Sequence, residues 1–158
     1  MGLNNFVLDQ KSGVYVPGSG TLSTFQYTDG LDTEMRLLRI IESATDVTST
    51  SKELENAIVD WPSRYHLSSE RANLLRALDN LPTDAQVLEL GAGCGALTRY
   101  LGEQFAKVDA VEGSFFRARV ARKRCRDLLN VAVYATLFKN ISFSSEYDLA
   151  TLIGVLEY

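Results

Sequence analysis

Histidine and cysteine are scarce in this sequence. One histidine, His66, and two cysteines, Cys94 and Cys125, are spread over 158 residues. They form no closely spaced set of the kind that holds a structural zinc. One cysteine lies in a glycine-rich turn and the other in a predicted helix, which argues for reduced thiols rather than a disulfide framework. No apolar run approaches the length of a membrane-crossing helix. The first residues, MGLNNFVLDQKSG, lack the charged start and apolar stretch of a secretory signal. Gly2 is followed by Phe6 where a myristoylation signal wants Ser or Thr. Positive charge is not in excess either: 16 Lys and Arg against 20 Asp and Glu leave a formal charge of -4. The molecule as a whole therefore has no global attraction for nucleic acid or anionic lipid. The default expectation is a soluble cytoplasmic protein with no nucleic-acid partner and no membrane insertion.

What is present suffices for one domain with a real core. Apolar residues make up 46% and charged residues 23%, a globular composition. Residues 1–30 read as irregular or short β structure: either Val14-Tyr15-Val16 and Phe25-Gln26-Tyr27 form a loose hairpin around the turn formers PGSGTLST, or the segment is a partly ordered arm. Met35, Leu37, Leu38, Ile41 and Ala44 then recur at helical spacing and predict a helix over 33–44. A second helix is predicted over 51–59, capped by Ser51. Pro62 reads as an interruption. A third helix follows Ser68 or Ser69, with Ala72, Leu75, Leu78 and Leu74 as its buried stripe. Beyond Pro82 the period changes. Val87–Leu90, Lys107–Glu112, Val131–Tyr134 and Tyr147–Ile153 read as strands, with helices over 96–105 and 115–129 between them. Strands alternating with helices mean βαβ units and a parallel sheet, and right-handed crossovers are expected to put helices on both faces. Residues 136–146 are too few and too Ser-rich for a long crossover helix. The division expected is an N-terminal arm and helical cap over 1–82 and a partial α/β domain over 83–158.

The stretch with the most chemistry is VLELGAGCGAL, residues 87–97. Its glycines sit between a strand and a helix, where open parallel sheets bind ligands, and they let a ligand approach without meeting a Cβ. Counted from Gly91, GAGCGA satisfies the dinucleotide pattern G-x-G-x-x-G/A. Glu112, 21 residues after Gly91, ends the next strand and can accept both hydroxyls of a ribose. NAD and S-adenosylmethionine both carry such a ribose, so Glu112 does not choose between them. Asp109 lies in the same strand with the opposite side-chain parity and reads as a solvent-facing or locally paired acid. Glu89 does discriminate: negative charge beside the turn suits a ligand with an ammonium and a sulfonium better than a diphosphate.

VLELGAGCGALTRYL resembles the first motif of class I S-adenosylmethionine-dependent methyltransferases, KVDAVEGS their second strand and ribose-binding acid, and YDLATLIGVLEY their fourth strand. The resemblance covers residues 87–158. It implies a Rossmann-like sheet in the order 3-2-1-4 and S-adenosylmethionine or S-adenosylhomocysteine as cofactor. It also implies that Glu89, Gly91, Ala92, Gly93 and Gly95 surround the methionine end. Glu112 would hold the ribose, and Gly113 and Ser114 would border the adenine. Thr136 stands where an Asp is common, leaving adenine recognition to backbone groups and Leu137. Ile153, Gly154 and Val155 would line the far wall, and Leu156 and Glu157 would begin the substrate side. The preceding DWPSRYHLSSERANLLRALD is similar to the segment before the methyltransferase domain in bacterial proteins tied to surface polysaccharide or O-antigen synthesis, which implies a saccharide or polysaccharide precursor as methyl acceptor.

Three further features carry readings of their own. The basic run FFRARVARKRC is expected to be the solvated face of an amphipathic helix whose Phe115, Ala118, Ala121, Cys125 and Leu128 turn inward; the alternative is a patch for an acidic partner or nucleic acid. Trp61, Tyr65 and His66 could anchor the N-terminal helices on the sheet, close over the cofactor, or supply His66 as a general base. Cys94 reads as small filler. Four strands leave the fourth as an edge, and a hydrophobic edge normally has a neighbour. The expectations are therefore a fragment or shortened form of a longer protein with little turnover by itself, and self-association through that edge. The second class of function is a noncatalytic partner-binding or regulatory module that keeps the fold.

Overall fold

A computed structural model describes residues 2–18, 28–77, 81–143 and 146–155. The expected Phe25–Tyr27 strand, Leu78 of the third helix, and Leu156 and Glu157 lie outside these residues. The chain begins with two antiparallel strands, β1 (Phe6–Asp9) and β2 (Val14–Pro17). A helical segment follows: α1 (Leu31–Ser43), α2 (Lys52–Asn56), α3 (Trp61–Leu67), a 3-10 turn over Ser69–Ala72, and α4 (Asn73–Arg76). Then come β3 (Gln86–Leu90), α5 (Ala96–Gln104), β4 (Lys107–Glu112), α6 (Phe115–Arg124), β5 (Val131–Ala135), a 3-10 turn over Phe138–Asn140, and β6 (Leu149–Leu152). No helix among the described residues is long and apolar enough to cross a membrane.

Among the described residues the sheet has six strands in the order β1-β2-β5-β4-β3-β6. The part from β5 to β6 is the expected 3-2-1-4 order, all parallel. Two strands were not foreseen in this place. β2 pairs in parallel with β5 through Tyr15 and Tyr134, and its hairpin partner is Phe6–Asp9 upstream rather than a segment downstream. The turn between them is closed locally: Gly13 N–H donates to the Asp9 carbonyl at 2.8 Å and Ser12 N–H to the Asp9 carboxylate at 3.2 Å.

Helices on both faces were expected, but the long crossover helices share one face. Leu97 and Leu101 of α5 and Ala118 and Ala121 of α6 pack with Val87, Val108, Ala110, Val131 and Val133 in one cluster. The reason is topological. Crossovers of one hand that step in one direction, β3 to β4 to β5, deliver their helices to the same side. The direction reverses only between β5 and β6, and that connection carries a 3-10 turn instead of a helix. The opposite face is covered by a smaller cluster of Phe6, Leu88, Val111, Tyr134 and Ile141, with Leu3, Phe143 and Tyr147 at its edge. Asp109 belongs to that face. It is buried rather than solvent-facing, accepting the Tyr147 hydroxyl at 2.8 Å and pairing with Lys107 at 3.2 Å.

Pro62 starts a helix instead of interrupting one. Asp60 caps α3, accepting the Ser63 N–H at 2.9 Å, while the Ser63 hydroxyl accepts the Asp60 N–H at 3.0 Å. This reciprocal box suits a helix whose first turn holds a proline, where no backbone donor is needed. α1 and α3 pack over α6 and bury Leu37, Ile41, Leu67 and Val120 together with Cys94. α6 is thus enclosed between the sheet and the cap.

Ala118, Ala121 and Cys125 turn inward as expected, but the enclosure overturns the solvated reading for Arg117 and Arg124. Arg124 is only 1% exposed and donates to the His66 carbonyl. Arg117 is buried, with Nε 2.9 Å from Glu34 and Nη2 2.6 Å from Asp29. Arg122 donates to the Val131 carbonyl at 3.1 Å, and Arg126 to the Ile41 carbonyl at 2.9 Å. Ile41 is in the last turn of α1, so Arg126 satisfies a carbonyl that the helix end leaves open. α6 also stops at Arg124, five residues short of the expected end, and Leu129 is fully exposed.

Removing Arg117 would leave Glu34 and Asp29 without their cation in a largely dehydrated setting. Breaking one side of such a buried pair costs about 3–5 kcal/mol. Arg117→Met is expected to lose about that much in a urea unfolding experiment, and the double variant R117M/E34Q less than R117M by itself. A loss under about 1 kcal/mol would show the pair to be as weak as an exposed one.

Candidate functional site

One cavity of about 480 Å³ opens at the carboxyl ends of β3, β4 and β6, between the sheet and the helical cap. This volume lies in the range of small-molecule sites. Glu89 and Glu112 share the sheet face that packs on the helices, because both have the same parity across the β3–β4 register. Glu89, Gly91, Ala92 and Gly93 come from β3 and the turn behind it. Glu112 and Gly113 come from the end of β4, Thr136 and Leu137 from the loop after β5, and Ile153 from the end of β6. The cap contributes His66. Two of the expected site residues do not line the cavity. Gly95 packs against α6, where a Cβ would lie 2.7 Å from the Ala121 Cα. Ser114 caps α6 by accepting the Arg117 N–H at 3.3 Å.

Glu112 is the organising acid. Its two oxygens accept the Gly93 N–H at 2.7 Å and the Ser114 N–H at 2.8 Å. Each oxygen keeps a second lone pair. Burial raises the Glu112 pKa, and the two backbone donors work against that shift. Gly93 has a φ of +55°, and a Cβ there would meet only the His66 ring, at 3.8 Å. The turn is therefore open toward the cavity at Gly93 and tightly packed at Gly95.

Glu89 is 3% exposed, and its Oε2 has no hydrogen-bond partner among the described residues. Burial pushes its pKa up to about 7, the Thr98 hydroxyl beside it works against the rise, and the charge of Glu112 adds to it. A carboxylate so placed favours a cationic neighbour. Cys94 is buried behind the turn, and burial raises its thiol pKa, which makes it a poor nucleophile.

The cap wall is richer than the sequence suggested. His66 Nε2 lies 2.9 Å from Asp29, which is held by Arg117. Burial lowers the His66 pKa, with the Asp29 hydrogen bond opposing the shift. Trp61 is not a buried anchor. It is 73% exposed and stands at the cavity with Tyr65. Asp29, Arg71, Arg117 and Phe138 also line the cavity and were missed by sequence reasoning. Arg117 was hidden inside a charge run, and Asp29 and Arg71 have no local pattern to mark them.

No family model matches the chain, and no curated protein matches it. Among solved structures, a mutant of MtNAS is similar at 18% identity and a TM-score of 0.52, over 75% of this chain and 43% of that one. The same mutant in complex with S-adenosylmethionine matches at 18% identity and a TM-score of 0.48, over 77% and 45% of the two chains. Coclaurine N-methyltransferase bound to N-methylheliamine and SAH matches at 18% identity and a TM-score of 0.48, over 84% and 37%. The chain thus spans less than half the length of each of these proteins. The likeness to MtNAS is one of fold, and the fold of this chain is a Rossmann-like α/β sheet.

Proposed function

We propose that the cavity binds S-adenosylmethionine and that the chain is the cofactor-binding portion of a methyltransferase. The observation that carries this reading is Glu89: a buried, unpartnered carboxylate oxygen in the wall beside a glycine turn that is open at Gly93. A diphosphate would be repelled there. An ammonium would supply the missing partner. Glu112 would accept the ribose hydroxyls on its free lone pairs while keeping the turn in place. Gly113, Thr136, Leu137 and Phe138 would enclose the adenine. Gly95 and Ser114 would support the turn and the α6 cap without touching the ligand. His66, hydrogen-bonded to Asp29, would wall the glycine-turn end.

When bound, S-adenosylmethionine supplies a methyl carbon that an acceptor nucleophile attacks in line with the sulfonium. The contribution of this chain is placement: Glu89 and Glu112 fix the two ends of the ligand, and Trp61, Pro62 and Tyr65 screen the cavity from water on the cap side. A saccharide precursor is the acceptor that the resemblance of the sequence over residues 60–79 would imply.

Two outcomes test this reading. Calorimetry with S-adenosylhomocysteine and NAD is expected to show binding of the first only. Glu112→Gln is expected to weaken that binding about tenfold, the equivalent of one charge-assisted hydrogen bond of about 1.5 kcal/mol. Saturable NAD binding without a response to S-adenosylhomocysteine would overturn the cofactor.

The second outcome concerns pH. Glu89 has a raised pKa of about 7 in the free protein, and an adjacent ammonium would lower it in the complex. Below about pH 7 binding must therefore expel a proton from Glu89. Affinity is expected to fall as pH drops from 8 to 6, by up to about tenfold per unit, and Glu89→Gln should flatten the profile. An affinity that rises toward pH 6 would contradict the role given to Glu89.

A further inference from the structure

The cap presents one cation to the cavity that the proposed function leaves without a task. Arg71 lies in the 3-10 turn after α3 and lines the cavity. Its guanidinium carbon stands 4.0 Å from the centre of the Tyr65 ring. Its Nε is buried with no hydrogen-bond partner among the described residues. The other cation of the cavity wall is in a different state: Arg117 is engaged by Asp29 and Glu34. Arg71 takes part in none of these ion pairs.

The position of Arg71 is defined from two sides. Gly154 follows β6 with a φ of +69°, and a Cβ there would lie 2.5 Å from the Tyr65 hydroxyl and 4.0 Å from the Arg71 Nη2. The Tyr65–Arg71 pair is thus packed down on the carboxyl end of β6. Glu89 feels the charge of Arg71 but forms no ion pair with it. Stacking on Tyr65 holds the plane of the guanidinium, and a guanidinium held in this way presents a fixed edge of donors. A dehydrated donor without an acceptor costs stability unless a ligand completes it.

We infer that Arg71 is a carboxylate-binding residue of the cavity, set by its stack on Tyr65 to take a monoanionic group lying between the cap and the end of β6. The charge of the wall selects a monoanion. Glu89, Glu112 and Asp29 line the same cavity, so a dianionic phosphate would meet three acids with one uncommitted guanidinium. A carboxylate matches the single fork of Arg71 and can be held bidentately. Two sources offer that chemistry: the amino-acid end of the cofactor, whose ammonium would face Glu89, and a carboxylate on the methyl acceptor. The first source rests on the function proposed above.

Arg71→Gln and Arg71→Lys separate the cases, with thermal melting as a check on folding. Trp61, the sole tryptophan, lines the cavity, and its fluorescence serves as the readout. The ligands are S-adenosylhomocysteine and 5′-methylthioadenosine, which lacks the amino-acid end. An at least tenfold loss of S-adenosylhomocysteine affinity in R71Q, a smaller loss in R71K, and unchanged methylthioadenosine affinity would assign the carboxylate to the cofactor. Unchanged S-adenosylhomocysteine affinity, with benzoate but not benzamide binding to the loaded wild type and not to loaded R71Q, would assign it to the acceptor. If neither S-adenosylhomocysteine nor benzoate distinguishes R71Q from wild type, the inference is overturned while the cofactor reading stands. If the wild type binds neither nucleoside, the cofactor reading falls, and benzoate titration of the unloaded proteins decides Arg71: binding lost in R71Q upholds it, and equal or absent binding overturns it.

Discussion

Glu112 accepts a backbone N–H on each carboxylate oxygen, from Gly93 in the turn after β3 and from Ser114 at the cap of α6. The first bond ties the end of β3 to the end of β4 at the point where the cavity opens, and the second fixes the start of α6. The arrangement requires that β4 end in an acid of the right parity, that the β3 turn be a run of glycines, and that α6 start two residues beyond the acid. All three conditions follow from EGS at 112–114 and GAGCG at 91–95. The remaining lone pairs of Glu112 and the unpartnered oxygen of Glu89 then face one space, and from this juxtaposition the proposed recognition of a ribose and an ammonium arises.

A second constraint is the burial of α6. The helix is rich in arginine yet lies under a helical cap, so its cations need acceptors. Asp29 and Glu34 from the cap side supply two, and the carbonyls of His66 and Ile41 supply others. These same bonds draw His66 and its neighbours Trp61 and Tyr65 over the glycine turn. Arg117 and Arg124 are therefore internal fasteners of the cap, and the cavity owes its second wall to them.

Much of the α/β unit was legible from local patterns. Val87–Leu90 and Lys107–Glu112 are short apolar strands with clear turn signals behind them, and their boundaries agree with the structure to within a residue. The turn glycines and Glu112 carry a spacing that holds wherever such a unit occurs. What stayed illegible depends on partners far away in sequence. Phe6–Asp9 is a strand because Val14–Pro17 folds back on it and Tyr15 reaches Tyr134. The α3 helix was obscured by reading Pro62 as a break, although Asp60 and Ser63 form its cap. Arg117 looked like one solvated charge among several, since nothing near it announces that Asp29 and Glu34 will cover it. Arg71 was invisible for the same reason: its meaning lies in the stack on Tyr65 and in the end of β6. The expectation of helices on both faces failed because it was applied without the direction of each crossover.

A crystal structure of the protein grown with S-adenosylhomocysteine tests the site most directly. The nucleoside is expected in the cavity at the ends of β3 and β4, with ribose hydroxyls hydrogen-bonded to the Glu112 carboxylate and the amino group within reach of the Glu89 Oε2. A ribose placed away from Glu112, or a ligand bound outside this cavity, would contradict it.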